Sequence, residues 1–328
     1  MIDVITIGSA LQDIFLEVAA GKTIKDPKEV ASASYLGFAL DSKVPVDACH
    51  RHLGGGGINT AVVLKKLGLN SLPVSNVGAD SWGRGVIDGL RQLDVDTTAI
   101  ISRPNEPTGL SVLLHDVAAK EHLSFNFKGA SDNLKLSQRQ LPSARWLYVT
   151  SLTGSDWEED LATVADLAAD TAVAWNPGSA QLKAIGNWED LLRRTEILLL
   201  NFAEAKQLLR GLGLDPTTDK RRLFTLLAEL GPRIIVVTEG VAGANVFAES
   251  TWYQAPIRRF DAVDATGAGD TFGATFVGGL ILGNDYTTAL KMAIINSGAV
   301  TRNWGAQRGL MTRAEIDNHL PEVTVTEL

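Results

Sequence analysis

Asp264-Ala-Thr-Gly-Ala-Gly-Asp270-Thr-Phe-Gly-Ala-Thr-Phe-Val-Gly-Gly279 is the stretch on which the reading of this chain turns. Gly267 and Gly269 flank Ala268, so little side-chain bulk crowds a turn there and unusual dihedrals cost little. The run that follows, Phe272 to Leu282, is small and apolar and predicts a buried helix. The first backbone N–H groups of such a helix have no intrahelical partner and sit at the positive end of its dipole. A turn of this kind receives an anion. Asp270 stands beside that anion hole, where a carboxylate accepts a proton from a hydroxyl. The pairing points to phosphoryl transfer to an alcohol. The plainer alternative is a glycine-rich turn with Asp270 as a helix N-cap.

With 328 residues, 45% hydrophobic and 21% charged, the chain fills a large core and carries no compositional sign of disorder. A net charge of −8 argues against nucleic acid as a main partner, because phosphate backbones call for a basic surface. It leaves room for an anionic nucleotide held by a local anion hole. Cys49 is the only cysteine, so no internal disulfide forms and a reducing compartment is expected. Asp3 and Asp13 fall where a signal peptide has a positive start and a long apolar core. No apolar run approaches the roughly 20 residues that span a bilayer. The expectation is a cytoplasmic protein with no membrane partner.

Outward from the Asp270 turn, short β-branched runs alternate with helical patterns, the mark of βα units around a mainly parallel sheet. The expected strands are Val4–Gly8, Leu72–Val77, Trp146–Thr150, Ala172–Asn176, Ile197–Asn201 and Ile234–Thr238. Several are nearly continuous apolar runs, as strands covered on both faces are. The expected helices are Asn59–Lys66, Trp82–Leu93, Trp157–Ala169, Glu204–Arg210, Arg221–Leu230 and Tyr286–Arg302. Two regions break the rhythm, 13–51 and 108–131. The second alternates apolar and polar residues as a hairpin does. Together they predict a small β lid over the carboxyl ends of the strands, where such sheets bind ligands.

Further motifs sit at strand ends. Gly54 to Gly57 precede Ile58 and Asn59; these glycines let backbone approach a ligand, and Asn59 caps a helix or bonds a polyol. Asp13, five residues after Gly8, is placed to accept hydrogen bonds from neighbouring hydroxyls, or is an ordinary turn-forming Asp. Asn201-Phe-Ala-Glu204 follows an apolar strand. Glu204 either complements the helix dipole or orders a hydrated Mg²⁺ on nucleotide phosphates. Thr238-Glu-Gly240-Val-Ala-Gly243 is a tight turn against a flat or phosphorylated ligand, or a hairpin turn.

Other signals are set aside. Gly21-Lys22-Thr23 resembles the tail of a P-loop, but Leu16 occupies the position of the first glycine. Cys49, His50 and His52 have no second cluster at metal-site spacing. His115 and His122 read as lid-strand residues.

In this combination and order, Gly8…Asp13, Gly54-Gly-Gly-Gly-Ile-Asn59, Val77-Gly-Ala-Asp80-Ser-Trp-Gly83, Asn201-Phe-Ala-Glu204, Thr238-Glu-Gly240-Val-Ala-Gly243 and Asp264-Ala-Thr-Gly-Ala-Gly-Asp270, the chain resembles the PfkB (ribokinase-like) family of carbohydrate and nucleoside kinases over nearly its full length. The resemblance implies one domain over residues 1–328, a three-layer α/β/α sandwich with a β lid, using ATP and Mg²⁺. It implies that Asp270 is the general base and that the backbone of Gly267, Ala268 and Gly269 forms the anion hole. Asn201 and Glu204 then serve ATP and, through water, Mg²⁺. Thr238, Gly240 and Gly243 resemble the nucleotide loop, and Asn296 an adenine-side position. Asp13, Gly55, Gly56 and Asn59 resemble the acceptor-binding set. Asp264 and Thr266 match positions that present carbonyls to a monovalent cation such as K⁺.

The chain departs from the family pattern in places. The segment from Asp13 to Gly54 is long, which implies an elaborated lid. Lys120-Glu-His122 stands where many relatives have an acid followed by arginine. Asn303-Trp304 adds a residue before Gly305-Ala306. A sugar acceptor, a nucleoside acceptor and a non-catalytic sensor all remain open. An exposed lid strand also pairs readily with a second copy, which suggests a homodimer.

Overall fold

Continuous runs of Val, Ile and Leu become the interior strands of one large sheet, since a strand covered on both faces has no polar side to show. The computed structural model describes residues 1–19, 22–25, 34–116, 121–215, 219–258 and 261–328; Gly21 and Lys120, both singled out above, lie outside them. The large sheet comprises β1 (Ile2–Ile7), β6 (Ser71–Gly78), β7 (Ile100–Arg103), β10 (Ala144–Val149), β11 (Ala172–Trp175), β12 (Ile197–Asn201), β13 (Ile234–Thr238), β14 (Ala244–Ala248), β15 (Thr251–Ala255) and β16 (Thr326–Glu327). Their order across the sheet is β16-β15-β14-β13-β12-β11-β10-β1-β6-β7. Neighbours from β7 to β13 run parallel, and β14 to β16 add an antiparallel edge. All the expected strands are present. The β14–β15 hairpin turns through Glu249 and Ser250, both at positive φ, without the Asn-Gly signature that makes such turns legible.

Helices cover both faces. On one, α1 (Gly56–Lys66), α8 (Ala268–Ile281) and α9 (Tyr286–Val300) bury Ile58, Val62, Phe276, Ala293 and Ile295 against Val4, Leu199, Val236 and Val246. On the other, α3 (Trp157–Leu167), α4 (Ser179–Lys183), α5 (Glu189–Arg194), α6 (Phe202–Gly211) and α7 (Lys220–Glu229) bury Leu161, Leu182, Leu192, Leu208 and Leu223 against Ile5, Val149, Trp175, Leu198 and Val237. The alternation of strand residues between the two clusters follows from the period-2 geometry of a strand. The result is a three-layer sandwich.

Beside it, α2 (Ser81–Gln92) is capped by Asp80, whose carboxylate accepts from the Gly83 N–H at 2.8 Å.

A second sheet has the order β5-β2-β8-β9 and is formed by β2 (Leu11–Val18), β5 (Ala48–Gly54), β8 (Gly109–Asp116) and β9 (Glu121–Phe127). A two-stranded hairpin, β3 (Lys22–Lys25) and β4 (Ser34–Gly37), lies between β2 and β5 in the chain. These strands come from the two regions that interrupt the βα rhythm. One face of the second sheet carries Asp13, Phe15, His50, His52 and His115 and packs on the segment around Trp304. The Trp304 ring stacks on His50 at 5.2 Å and meets His115 edge-on at 4.5 Å. The added residue at Asn303-Trp304 is thus accommodated as a contact between the sheet and the body. The opposite face shows Leu123, Phe125 and Phe127, the two phenylalanines 55% and 54% exposed.

Candidate active site

β1 is flanked by β10 on one side and β6 on the other, so strand order reverses there. The crevice at such a reversal opens at the carboxyl ends of the strands. Asn201 and Thr238 end β12 and β13 side by side.

Over these ends lies the N-terminus of α8. Its N-cap is Gly267 at φ 75°, where an added Cβ would lie 2.2 Å from the Ala306 Cβ, so only glycine fits. Asp270 is therefore a first-turn residue and not the N-cap. The Ala268 N–H donates to the Ala265 carbonyl at 3.1 Å, which removes it from the expected anion hole. Among the described residues, the N–H groups of Gly267, Gly269 and Asp270 have no acceptor, and open space lies above Gly269. The open amides at this turn are thus those of Gly267, Gly269 and Asp270, with Ala268's already paired.

The Asp270 carboxylate is held from α1. Asn59 Nδ2 donates to Asp270 Oδ2 at 2.8 Å, and Gln307 Nε2 donates to Asn59 Oδ1 at 3.0 Å. α1 begins at Gly56 with Gly55 as N-cap, so Asn59 is not a cap; its side chain is free to span to Asp270. Burial raises the Asp270 carboxyl above the usual carboxylate range, while the Asn59 bond and the charge of Lys128 pull it back.

Asp13, on β2, is 4% exposed. Burial, then repulsion from Asp270, push its carboxyl from 3.8 to about 7, and Lys128 acts against them. A Cβ on Gly54 would sit 2.0 Å from an Asp13 carboxylate oxygen. The glycine run thus serves close approach within the chain itself. Gly55 packs on Ser9, and Gly56 on Thr150. Burial lowers Lys128, and Asp132, Asp13 and Asp270 raise it in turn. Lys128 was not foreseen from the sequence, because a lysine after a strand carries no local signal of what it faces.

A cleft of about 120 Å³ brings Asn201, Glu204, Thr238, Gly269 and Asp270 together with Tyr148, Asn176 and Phe272. Asn201 and Glu204 form a reciprocal capping box on α6: Asn201 N–H to Glu204 Oε2 at 2.8 Å, and Glu204 N–H to Asn201 Oδ1 at 2.9 Å. Burial raises the Glu204 carboxyl above its usual range, the Asn201 amide lowers it, and Asp270 raises it further. Gly240 and Gly243, both at positive φ, form the β13–β14 hairpin turn just beyond Thr238.

Asn296 stands differently from expectation. Asn296 is fully buried; it donates to Thr275 Oγ1 at 2.9 Å and accepts from the Met311 N–H at 2.9 Å. Its amide is committed to the protein and does not face the cleft. The Asp264 carboxylate, also buried, accepts from the Thr266 N–H at 3.1 Å and hydroxyl at 2.8 Å, and lies 3.8 Å from His115 Nε2. It ties the loop before α8 to the second sheet.

Comparison with known proteins gives the family of the chain. Residues 18–313 match the family described as pfkB family carbohydrate kinase. A ribokinase of Haemophilus influenzae is 26% identical over 269 residues, covering 80% of this chain and 85% of the relative. A nucleoside kinase of Methanocaldococcus jannaschii is 24% identical over 274 residues, covering 83% and 86%. The structure of Arabidopsis thaliana ribokinase complexed with ribose and ATP superposes with a TM-score of 0.75 at 21% identity, over 98% of this chain and 99% of that one. The chain belongs to the pfkB family of carbohydrate kinases, phosphotransferases whose acceptor is a hydroxyl group.

Proposed function

We propose that the protein transfers the γ-phosphate of ATP to a hydroxyl of a sugar or sugar-like molecule, with Asp270 as general base. One observation carries this reading: a half-buried carboxylate in the first turn of α8, flanked by open backbone N–H groups and held by Asn59. Asn59 occupies Asp270 Oδ2 and orients the group, so Oδ1 is available to the acceptor hydroxyl. In a loose transition state the nucleophile keeps its proton until late, so a carboxylate of modestly raised basicity suffices. The Gly267, Gly269 and Asp270 amides, reinforced by the dipole of α8, are aimed at charge gathering on the transferring group.

Asn201, Glu204 and Thr238 line the nucleotide side, with Gly240 and Gly243 at its margin. No group of three or more His, Cys, Asp or Glu among the described residues is placed to hold a metal. That suits Mg²⁺, which keeps most of its waters and is carried largely by phosphates. Glu204 would hold it through water, and the bound cation would offset phosphate charge. Asp13, Asn59 and the backbone at Gly55 and Gly56 form the acceptor side, with the second sheet as a lid that excludes water. The apolar outer face at Leu123, Phe125 and Phe127 suits pairing of two lids in a homodimer.

A coupled ADP-release screen across hexoses, pentoses, sugar acids, sugar phosphates and nucleosides tests the reading. Nucleosides belong in the screen because a relative of comparable similarity carries the name nucleoside kinase. Ligand binding without ADP formation for every acceptor would instead favour a sensor.

A further inference from the structure

A cavity of about 830 Å³ lies outside the Asp270 cleft, between α2, the edge strand β5 and residues 307–308. The size falls within the range of sites that enclose a small metabolite. Among the described residues its wall carries Arg51, His52 and Arg308 and no aspartate or glutamate, in a chain with 38 acidic and 30 basic residues. Burial, then the charges of Arg308 and His50, hold His52 below the usual imidazole range, and the charge of Asp264 acts against them. His52 Nε2 is enclosed and has no hydrogen-bond partner among the described residues. Gln12, Gln92, Gln307 and Ser81 add groups that bond hydroxyls, and Trp82, 37% exposed, offers a flat apolar face. Gly85 keeps the floor open: a Cβ there would find only Gln12 Oε1, at 4.0 Å.

We propose that this cavity is a binding site for an anionic, sugar-sized molecule, separate from the Asp270 cleft. Arg51 on the second sheet and Arg308 beyond α9 supply charge from two separate elements, so the ligand bridges the two. Gln307 lines the cavity and donates to Asn59, which donates to Asp270, so an occupant bonding Gln307 reaches the catalytic carboxylate within two hydrogen bonds.

Calorimetric titration of the full chain without ATP tests the site, with ribose 5-phosphate and gluconate as anionic probes and ribose as the neutral counterpart. One anionic probe is expected to bind at least ~10-fold more tightly than ribose, and Arg51→Ala or Arg308→Ala to weaken it by ~10-fold or more. Gly85→Leu fills the cavity with a better helix former; it is expected to abolish probe binding and leave ATP-dependent turnover near wild type. Asp270→Asn is expected to bind the probe normally. Binding is read without ATP and turnover only as a control on Gly85→Leu, so failure of the kinase reading leaves the binding result untouched. Binding indifferent to both arginines and to Gly85→Leu, binding lost in Asp270→Asn, or no saturation by either anion below about 10 mM would overturn the site.

Discussion

Asp13→Asn is expected to stabilise the protein at neutral pH while weakening acceptor binding. The Asp13 carboxyl is raised from 3.8 to about 7, chiefly by burial. Below about pH 4 it is neutral in both the folded and unfolded chain and costs nothing. Between about pH 4 and 7 the unfolded chain ionises while the folded one still holds the proton, so the contribution of Asp13 to stability falls as pH rises. Above about pH 7 the loss is complete. The full displacement corresponds to about 4 kcal/mol, an upper figure because water entry and local relaxation reduce it. Asparagine has nearly the same shape and does not ionise. Urea unfolding of both proteins from about pH 4 to 8 should give a stability gap near zero at the acid end. At about pH 8 the variant should lead by an amount approaching that figure. A gap that does not change with pH, or a variant less stable at pH 8, would refute the assignment of a strained, buried carboxylate.

Asp270→Asn should lower kcat by at least ~10² with ATP binding little altered; near-normal turnover would remove Asp270 from the role of base. The base works ionised and its carboxyl is raised by burial, so kcat/KM should fall with decreasing pH through a value above the usual carboxylate range. Lys128→Met, which deletes a charge that lowers Asp270, should move that acid limb to higher pH; a limb that stays put means Lys128 does not act on it. Glu204→Gln retains a carbonyl for the α6 capping box and should raise the Mg²⁺ concentration needed for half-maximal rate. An unchanged Mg²⁺ titration would count against the assignment. Phe125→Asp on the outer lid face should convert a dimer to monomer in sedimentation, and a monomeric wild type would contradict the lid-paired dimer.

Much of the architecture was legible because it is local. The apolar runs at Ile197–Asn201 and Ile234–Thr238 are too short for helices and read as covered strands, and the Gly267–Asp270 turn before an apolar run marks a helix start. Helix starts were less legible. Gly56–Asn59 contains no strong cap residue before Asn59, so the sequence placed the start there; the backbone begins the helix at Gly56 because Gly55 adopts φ 102°. The antiparallel edge at β14–β15 escaped notice because Glu249-Ser250 takes left-handed conformations by context rather than by propensity.

From the residues alone came the layers, the parallel strands and the glycine turn that opens α8, since each depends on neighbours within a few positions. Tertiary folding alone decided which groups face that turn. Asn59 reaches Asp270 across 211 positions and Gln307 reaches Asn59 across 248. Lys128 acquires its role only when β9 is laid over the cleft, and Asn296 loses its expected one when α9 packs it against Thr275. Side-chain direction at such distances is set by the packing of whole elements, and no local pattern of residue types records it.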